Sequence, residues 1–508
     1  MSVFENHIEF SSKAPGGFVG REDGGFAVNL KAPQQFIKRG KNVAGFTTDY
    51  RTDFMRDRDR ILYSRAFRRL AGKTQIYTIG GDDHQKNRLT HTLEVSQIAR
   101  TISKALNLDC DLTEAIALGH DLGHAPFGHA GEKILHEIMS PGSTISIPDS
   151  PMKKVRRPMK KRDYYGFKHN VQSVRVVATI EDNYPEQGLN LTNYTLWGIL
   201  NHTSLKYKEN RVDTDCTDPT YKNIYNKHYL LEGYSDKEAW SFEAFVVKEA
   251  DEIAQRHHDL EDALLGGAMN ISDVYNAVRT TLDWLMSEED RQKLQALSGR
   301  LYADRAYITT ISSVVVNTLV SRVVRCSREN LTMLWEEVHD KANPDEFFVD
   351  HGVCEEKIRQ AIGYSVLGRE TDTEIEKTCK EKEAKRVEQT FKNFEQMIRE
   401  KVHHSADVER MNAKGTYIIR KMFQAYYKHP QQLPDGVVLH YMIDIGRYTS
   451  LKEAYEKGIG TVRTEFEELI TSKNGFTYEC KIKLMRRICD HISGMTDRYA
   501  LQEYGKLY

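Results

Sequence analysis

The chain has 508 residues, of which 40% are hydrophobic and 29% charged, so it carries enough apolar material for a large core and lacks the composition of a disordered protein. Lys and Arg number 72 against 73 Asp and Glu, and the resulting charge of −1 excludes the global basic field of non-specific nucleic-acid binders. The seven cysteines form no Cys-x-x-Cys pair, and we find neither a signal sequence nor an apolar run of about 18 residues, so we expect a cytoplasmic protein without disulfides or a membrane span.

Apolar residues recur at helical spacing along most of the chain, and only 12 residues are proline, which predicts an all-α fold. The first predicted helix, Met55–Leu70, is strongly basic, and its arginines form either a solvated face or part of an anion site. The second is His91–Leu106, and the third is Leu112–Leu122. The inward face of the second is expected to contain Leu93, Val95, Ile98, Ile102 and Leu106.

Three polar segments interrupt this pattern. Residues 77–88 form a Gly/Asp-rich loop, and residues 138–166 form a long connection in which the tract 152–162 has seven basic residues of eleven. We interpret the tract as a solvated surface loop, with polyanion binding as the alternative. Charges alternate at i, i+4 spacing from Glu370 to Lys401, which predicts a long exposed helix. Because no repeat or obvious linker is present, the C-terminal third is expected to pack back on the core.

Histidines and carboxylates are concentrated in Gly119–Glu132, which holds three histidines and two acids in fourteen residues. His120 and Asp121 end an apolar helical run, so both side chains can reach one ion beyond the helix end. His91 lies on the preceding helix, and pairing of the two helices would bring it to His120. Asp251 follows another apolar run and completes a nitrogen- and oxygen-rich set. Each residue alone is more often a core histidine or a helix cap, but the set indicates a metal site.

The pattern H…HD…D resembles that of the HD-domain metal phosphohydrolases, and the surrounding sequence resembles the deoxyguanosine triphosphate triphosphohydrolases (dGTPases) and related dNTP triphosphohydrolases. The matching segments, in chain order, are RDRDRILYSRAFRRLAGKTQIY, RLTHTLEV, HDLGHAPFGHAGE, FKHNVQSVRVV, WGILNHT, EADEIAQRHHDLEDAL and HISGMTDRYALQEY. The resemblance extends from Arg51 to the C-terminus. Its most specific parts are the Arg-rich KTQ segment and SGMTD-x-YA.

This resemblance implies an HD-domain helical core with a large helical C-terminal elaboration. We expect an N-terminal extension packed on the core (1–50), an HD phosphohydrolase core (51–350) and a helical C-terminal region that completes the pocket and the oligomer contacts (351–508). The implied reaction is metal-dependent hydrolysis of dNTPs, with dGTP as the expected preferred substrate, to deoxynucleoside and inorganic triphosphate. Attack would take place at the α-phosphorus.

The same resemblance assigns the metal ligands as His91, His120, Asp121 and Asp251, which would hold Mn²⁺, Mg²⁺ or iron. Imidazole and carboxylate ligands accept several first-row ions, so the sequence does not choose among these three.

The departing 5′ alkoxide needs a proton, so a general acid is expected opposite the attacking water. We assign His129 to this role, with Glu132 holding its imidazole and raising its pKa toward neutrality. His124 and His169 match other active-site histidines of the family. Either of them remains an alternative acid or a phosphate-binding or supporting group.

Substrate contacts follow from the resemblance as well. Arg88 matches an α-phosphate contact, and Gln75 matches a residue that hydrogen-bonds the sugar 3′-OH. Asn170, Asn201 and His202 match positions that line the pocket.

Two positions depart from the family pattern. Gln255 stands four residues after the metal-binding Asp, where many relatives carry Tyr against the deoxyribose, and His202 stands where some relatives also carry Tyr. Because a Tyr there excludes a 2′-OH sterically, its replacement affects the expected discrimination of the sugar. The metal ligands and the expected acid are untouched.

Two other functions are compatible with the same residues. One is a different HD phosphohydrolase, such as a nucleotide 5′-phosphatase or an alarmone hydrolase, and the other is a nucleotide-sensing, nucleic-acid-binding HD module. The family resemblance also implies a homo-oligomer, often a hexamer, and modulation by single-stranded DNA or by a nucleotide effector. The basic tract 152–162 would be the place for such a polyanion.

Overall fold

A computed structural model of the chain describes residues 50–75, 86–140, 143, 147, 150–151, 166–182, 188–203, 241–300, 302–339, 360–369, 372–403, 406–472 and 475–508. Within these ranges the backbone forms helices and a single isolated β-bridge between Thr74 and Asn87, and no sheet, so the all-α prediction is confirmed. The basic tract 152–162 and most of the loop 77–88 lie outside the described residues.

The helices of the first half are α1 (Asp53–Leu62), α2 (Arg65–Arg69), α3 (Arg88–Ala105), α4 (Cys110–Gly119), α5 (Gly128–Met139), α6 (His169–Arg175), α7 (Asn193–Asn201) and α8 (Glu243–Leu265). The later helices are α9 (Ile271–Leu282), α10 (Glu288–Gln295), α11 (Arg305–His339), α12 (Glu374–Ile398), α13 (Ala406–Lys428), α14 (Asp435–Asp444), α15 (Leu451–Lys457), α16 (Ile459–Thr471), α17 (Tyr478–Ser493) and α18 (Asp497–Leu507). Short 3₁₀ turns occur at Leu70–Gly72, Asp283–Leu285 and Pro430–Gln432, and π-helical turns at Val176–Ile180 and Arg399–His403.

The basic segment that we predicted as one helix, Met55–Leu70, is two helices. α1 ends at Leu62, and Ser64 starts α2, where its hydroxyl accepts a hydrogen bond from the Phe67 N–H at 3.1 Å. A capping serine satisfies a backbone donor that the first turn of a helix leaves open, so it stabilises the break. The prediction of a continuous helix is therefore wrong at this point.

Two arginines of this segment are tethers to other parts of the fold. Arg60 donates to the carbonyl oxygens of Leu189 (2.9 Å) and Asn190 (2.7 Å). Arg69 forms an ion pair with the buried carboxylate of Glu181 at 3.2 Å. The basic character of the segment thus serves packing at these positions.

The inward face of α3 differs from the prediction at one residue. Val95, Ile98, Ile102 and Leu106 are buried as expected, whereas Leu93 is 46% exposed. Leu93 lies two residues before Val95, and so about 200° around the helix from it, on the outer side.

Two hydrophobic clusters make up the core. The first gathers apolar side chains from α1, α3, α4, α7, α8, α11 and α12 around residues such as the fully buried Trp197. The second joins α5 to α13, α14, α16 and α17. Leu122 belongs to the first cluster and Phe127 to the second, so the loop between α4 and α5 connects them. The C-terminal helices therefore pack back on the N-terminal half, as predicted. The domain boundary at residue 350 remains a prediction.

Two long helices have contrasting surfaces. α12 is largely exposed and presents one apolar stripe that includes Val387, Phe391 and Phe394, which confirms the predicted exposed helix. Within α11, Arg305–Leu334 is apolar and long enough to cross a membrane, a property that core helices share. Its apolar face packs in the first cluster, and its buried Arg322 pairs with Glu383 at 2.6 Å.

Gly123 occupies a position where a side chain has no room. A Cβ there would overlap the carbonyl oxygen of His169 and the backbone nitrogen of Ser173. We predict that Gly123→Ala lowers the free energy of unfolding by about 1–3 kcal/mol, because backbone atoms cannot move aside as a flexible side chain would. Gly505→Ala in α18 is the control, since no heavy atom lies within 4 Å of its Cβ position. Equal urea midpoints for the two variants would contradict the close approach.

Candidate active site

The end of α4 delivers two polar residues into the protein interior. The helix begins after Asp109, whose side chain accepts hydrogen bonds from two backbone N–H groups, and its last five residues are buried. His120 follows as the C-cap and is fully buried, and Asp121 is 3% exposed. A polar pair at the end of a buried apolar helix is costly unless other groups satisfy it.

The four predicted metal ligands lie together. His91 Nε2 is 2.9 Å from Asp251 Oδ1, and His120 Nε2 is 3.8 Å from the same oxygen. His120 Nε2 also lies 3.3 Å from Asp121 Oδ1, and the rings of His91 and His120 are 5.8 Å apart. Asp251 lies in the interior of α8 and does not cap that helix. Residues from α3, α8 and the end of α4 thus converge on one point.

The tautomer of His120 leaves a lone pair aimed at this point. Its Nδ1 donates to the carbonyl oxygen of Ala117 at 2.6 Å, so Nε2 carries no proton in the neutral ring. Nε2 is buried and has no hydrogen-bond partner among the described residues. A buried imidazole lone pair beside two carboxylates fits a divalent cation, and this donor set suits Mn²⁺, Mg²⁺ or iron.

Neighbouring side chains keep the carboxylates of Asp121 and Asp251 ionised. Burial alone would raise the pKa of Asp121, but electrostatic interactions with the His120 and His124 rings and with the guanidinium of Arg88 hold it well below its usual value. Burial likewise opposes ionisation of Asp251, whereas its contacts with His91 and His120 lower its pKa. Both acids are therefore available as anionic ligands.

Arg88 lies beside the metal set with part of its guanidinium unused. It is the first residue of α3, it is 2% exposed, and its Nη1 donates to Asp121 Oδ2 at 2.7 Å. Its Nε and Nη2 are buried and lack hydrogen-bond partners among the described residues. Two free N–H donors on a buried guanidinium suit a phosphate oxygen pair. The position agrees with the phosphate contact that the family resemblance implies for Arg88.

Three further histidines line the side next to Asp121. The His124 and His169 rings are stacked with centroids 4.0 Å apart, and His129 lies 6.2 Å from His124. His124 Nδ1 is 2.9 Å from Asp121 Oδ1. Burial and the charge of Arg88 lower the pKa of His124, so its imidazole is neutral at physiological pH.

Glu132 does not hold His129, as we had predicted from their spacing. Its Oε2 lies 3.0 Å from Nδ1 of His169, and its Oε1 accepts the His169 backbone N–H at 3.4 Å. Glu132 is on the buried side of α5, which His169 approaches, whereas His129 is on the exposed side. Desolvation by the surrounding protein lowers the pKa of His129, and the charge of Glu132 offsets this only in part. Glu132 thus acts on this pKa in the predicted direction, but the net pKa of His129 is lowered and not raised.

The predicted pocket residues of α6 and α7 fall into two groups. The amides of Asn170 and Asn201 donate to carbonyl oxygens of α7, at 2.8 and 2.9 Å, so each has a structural contact. His202 instead lies 5.2 Å from the His120 ring, and its buried Nε2 has no partner among the described residues. Burial and the two nearest imidazoles lower the pKa of His202 to about 3, so it stays neutral. Contact of these residues with substrate remains a prediction.

Gln75 and Gln255 belong to one hydrogen-bonded chain. Gln75 Nε2 donates to Gln255 Oε1 at 2.7 Å, and Gln255 Nε2 donates to Asp259 Oδ1 at 2.6 Å. Burial raises the pKa of Asp259 to about 8. Sequence reasoning missed Asp259, although its place one helical turn after Gln255 on α8 is a signal that could have found it.

The connection between α17 and α18 is hydrogen-bonded to the segment around Lys73 and Thr74 and to the loop between α4 and α5. Asp497 accepts the N–H of Thr74 at 3.0 Å and of Phe127 at 2.9 Å, as well as the Thr74 hydroxyl. Lys73 Nζ donates to the carbonyl oxygen of Ser493 at 2.9 Å and to that of His124. These contacts fix Gln75 and the start of α5, and they give the C-terminal SGMTD segment a structural role.

Comparison with known proteins agrees with this geometry. A family model described as HD domain matches residues 88–256, and one described as phosphohydrolase-associated domain matches residues 383–442 and 449–506. A deoxyguanosinetriphosphate triphosphohydrolase-like protein of Syntrophus aciditrophicus is 32% identical over 91% of this chain and 88% of its own length. Proteins with the same description in Bartonella tribocorum and Leptospira interrogans are 32% and 30% identical, each over 90% of both chains.

We predict that Asp497→Ala lowers the melting temperature and reduces activity, because it leaves two buried N–H groups without an acceptor. Each unsatisfied donor costs about 1–3 kcal/mol, and the loop that carries His124 loses its outer support. Glu374→Ala on the exposed start of α12 is the control and is expected to change stability by less than about 0.5 kcal/mol. Calorimetric melting of both variants checks this, and an unchanged melting temperature for Asp497→Ala would contradict it.

Proposed function

The chain belongs to the deoxyguanosinetriphosphate triphosphohydrolase-like family of HD-domain proteins, and on that premise we propose that it hydrolyses dNTPs to deoxynucleoside and inorganic triphosphate with the help of a divalent metal ion. The observation that carries this proposal is the unpartnered Nε2 lone pair of His120. It lies next to the ionised carboxylates of Asp121 and Asp251 and near the guanidinium of Arg88, which has two nitrogens without a hydrogen-bond partner among the described residues. In such a site the histidine and the carboxylates would bind a cation, and the guanidinium would bind a phosphate group beside it. The names of the relatives make dGTP the first substrate to test.

The metal would be held by His91, His120, Asp121 and Asp251. When bound, a divalent ion polarises a phosphoryl oxygen and lowers the pKa of a coordinated water. The imidazoles contribute neutral nitrogen ligands, and the two carboxylates balance the charge of the ion.

Arg88 has the donors needed to orient the substrate. Its Nη1 is engaged with Asp121, so the guanidinium is fixed, while Nε and Nη2 can donate to two oxygens of the α-phosphate. Because this group is 2% exposed, its charge is weakly screened by solvent. Arg88 contacts Oδ2 of Asp121 and His120 lies near its Oδ1, so an α-phosphate beside Asp121 would meet both the guanidinium and the ion.

A histidine on the side of the α-phosphorus opposite the attacking water would protonate the leaving oxygen, O5′ of the deoxyribose. The water oxygen forms a bond to the α-phosphorus and releases a proton to solvent, the bond from phosphorus to O5′ breaks with its electrons on O5′, and an imidazolium gives O5′ a proton. His129 is our first candidate, since its exposed ring can be reprotonated from solvent. His169 is the alternative, because Glu132 fixes its orientation through Nδ1 and leaves Nε2 free to act.

The reaction is tested with the purified protein, each dNTP, GTP, and Mn²⁺, Mg²⁺ or a chelator. Ion-exchange separation should give equal amounts of deoxynucleoside and inorganic triphosphate, and the chelator should abolish both. Orthophosphate or pyrophosphate as product would instead indicate another HD phosphohydrolase activity. Absence of turnover with every nucleotide, with or without single-stranded DNA, would indicate a nucleotide-sensing module.

Two alanine variants decide the acid. Replacing the principal acid should lower kcat by about 10²–10⁴-fold while Mn²⁺ binding is retained, because neither His129 nor His169 is a proposed ligand. His120→Ala is the control and should lose both activity and Mn²⁺. If His129→Ala keeps its kcat and His169→Ala does not, the acid role belongs to His169. Full activity in both variants would contradict the proposed chemistry.

Gln255 should control recognition of the sugar. It is held between Gln75 and Asp259, and it replaces a residue type that blocks a 2′-OH in many relatives. We expect Gln255→Tyr to raise the ratio of kcat/KM for dGTP to that for GTP, and Gln255→Ala to leave that ratio close to its original value or lower. A ratio unchanged by both substitutions would contradict a sugar contact at this position.

A further inference from the structure

A second group of titratable side chains lies next to His91, on the side of its ring away from Asp251. His91 and Glu94 are three residues apart on α3, and His257 and His258 are adjacent on α8. His91 and His258 are buried, with 1% and 0% exposure, whereas the Glu94 side chain is 38% exposed. The packing of α3 on α8 thus creates a polar path from a metal ligand to the surface. Neither the sequence pattern nor the proposed reaction uses this path.

The contacts along the path are continuous. His91 Nδ1 lies 3.3 Å from His258 Nδ1, and His258 Nε2 forms a hydrogen bond with Glu94 Oε2. His257 Nε2 lies 3.0 Å from the same carboxylate oxygen and makes no described contact with His91. His258 therefore links His91 to Glu94, whereas His257 contacts Glu94 but not His91.

The hydrogen positions along this path follow from what His91 must do. To bind an ion through Nε2, a neutral His91 carries its proton on Nδ1 and donates it to His258 Nδ1. His258 Nδ1 must then be the bare nitrogen, so the proton of His258 is on Nε2. That N–H points at Glu94, which accepts it as a carboxylate. Each donor in the chain meets one acceptor.

The opposite arrangement is unfavourable. If His91 carried its proton on Nε2, it would donate to Asp251, and its bare Nδ1 would accept from His258. His258 Nε2 would then present a lone pair to the Glu94 carboxylate at hydrogen-bond distance, and the two would repel each other. An ionised Glu94 therefore favours the tautomer of His91 that can bind the metal, and a bound ion would relieve the repulsion between the bare Nε2 and Asp251 Oδ1, which are 2.9 Å apart.

We propose that Glu94 and His258 are positioning residues, which hold His91 in its metal-binding tautomer and orientation through a hydrogen-bonded relay. The inference rests on the metal centre of the proposed function. The other histidine ligand, His120, is fixed by the carbonyl oxygen of Ala117 in its own helix. His91 makes its Nδ1 contact to a side chain, so the affinity of the site depends on residues that touch neither ion nor substrate. Removal of such outer partners commonly weakens metal binding about 10–100-fold.

The test uses full-length protein stripped of metal, with Mn²⁺ affinity read from the electron paramagnetic resonance of the free ion. His258→Phe removes both ring nitrogens and should weaken Mn²⁺ binding about 10–100-fold. His258→Asn places an amide oxygen near the position of Nδ1 and should restore most of the affinity. His257→Phe is the matched control, since His257 also contacts Glu94 but does not contact His91, and it should bind Mn²⁺ as the unaltered protein does. Melting curves without metal show whether each variant is folded.

Three outcomes would overturn the relay. Unchanged affinity in His258→Phe would show that His91 needs no such partner. An equal loss in His257→Phe would indicate that Glu94, His257 and His258 hold an ion themselves. No Mn²⁺ binding by the unaltered protein would remove both the relay and the proposed centre. By contrast, Mn²⁺ binding that depends on His258, in a protein that releases no triphosphate from dNTPs, would support the relay and refute only the proposed reaction.

Discussion

Everything around the candidate active site depends on one electrostatic constraint, the burial of His120 and Asp121 at the end of the apolar helix α4. A buried carboxylate is costly without compensating positive charge, and Arg88 supplies part of it through a 2.7 Å ion pair. Asp251 adds a second negative charge from α8, so one Arg88 charge does not balance the two carboxylates and a further cation would. The arrangement of α3, α4 and α8 is therefore that of a cation-binding site.

The same constraint explains why the two hydrophobic clusters meet at the loop between α4 and α5. This loop carries His124 and must present polar side chains inward while its backbone groups remain satisfied. Ser173 of α6 accepts the Gly123 N–H and donates to the His120 carbonyl, and Asp497 accepts the Phe127 N–H from the other side. The C-terminal helices thus complete the core and also support the loop.

The sequence was sufficient for the all-α class and for bringing His91, His120, Asp121, Asp251 and Arg88 into one site, because these are marked by helical spacing or by a linear motif. Their roles toward metal and phosphate stay predictions. The sequence was insufficient where partners come from separate elements. By spacing alone Glu132 could contact His129, and only the tertiary structure, which brings His169 to within 3.0 Å of it, shows that its partner is His169. Asp497 lies more than 350 residues from Phe127, with no local signal of their contact. The break before Ser64 was missed for a different reason, since a capping serine inside a periodic basic segment is easily taken for a surface position.

The central claim is that His91, His120, Asp121 and Asp251 bind one divalent ion. The most direct measurement is an anomalous difference map from crystals grown with Mn²⁺, recorded near the manganese absorption edge. The account predicts a single strong peak within bonding distance of His91 Nε2, His120 Nε2 and the two carboxylates, with Nδ1 of His91 still facing His258. A peak between Glu94, His257 and His258, or none near His120 in crystals of active protein, would contradict it.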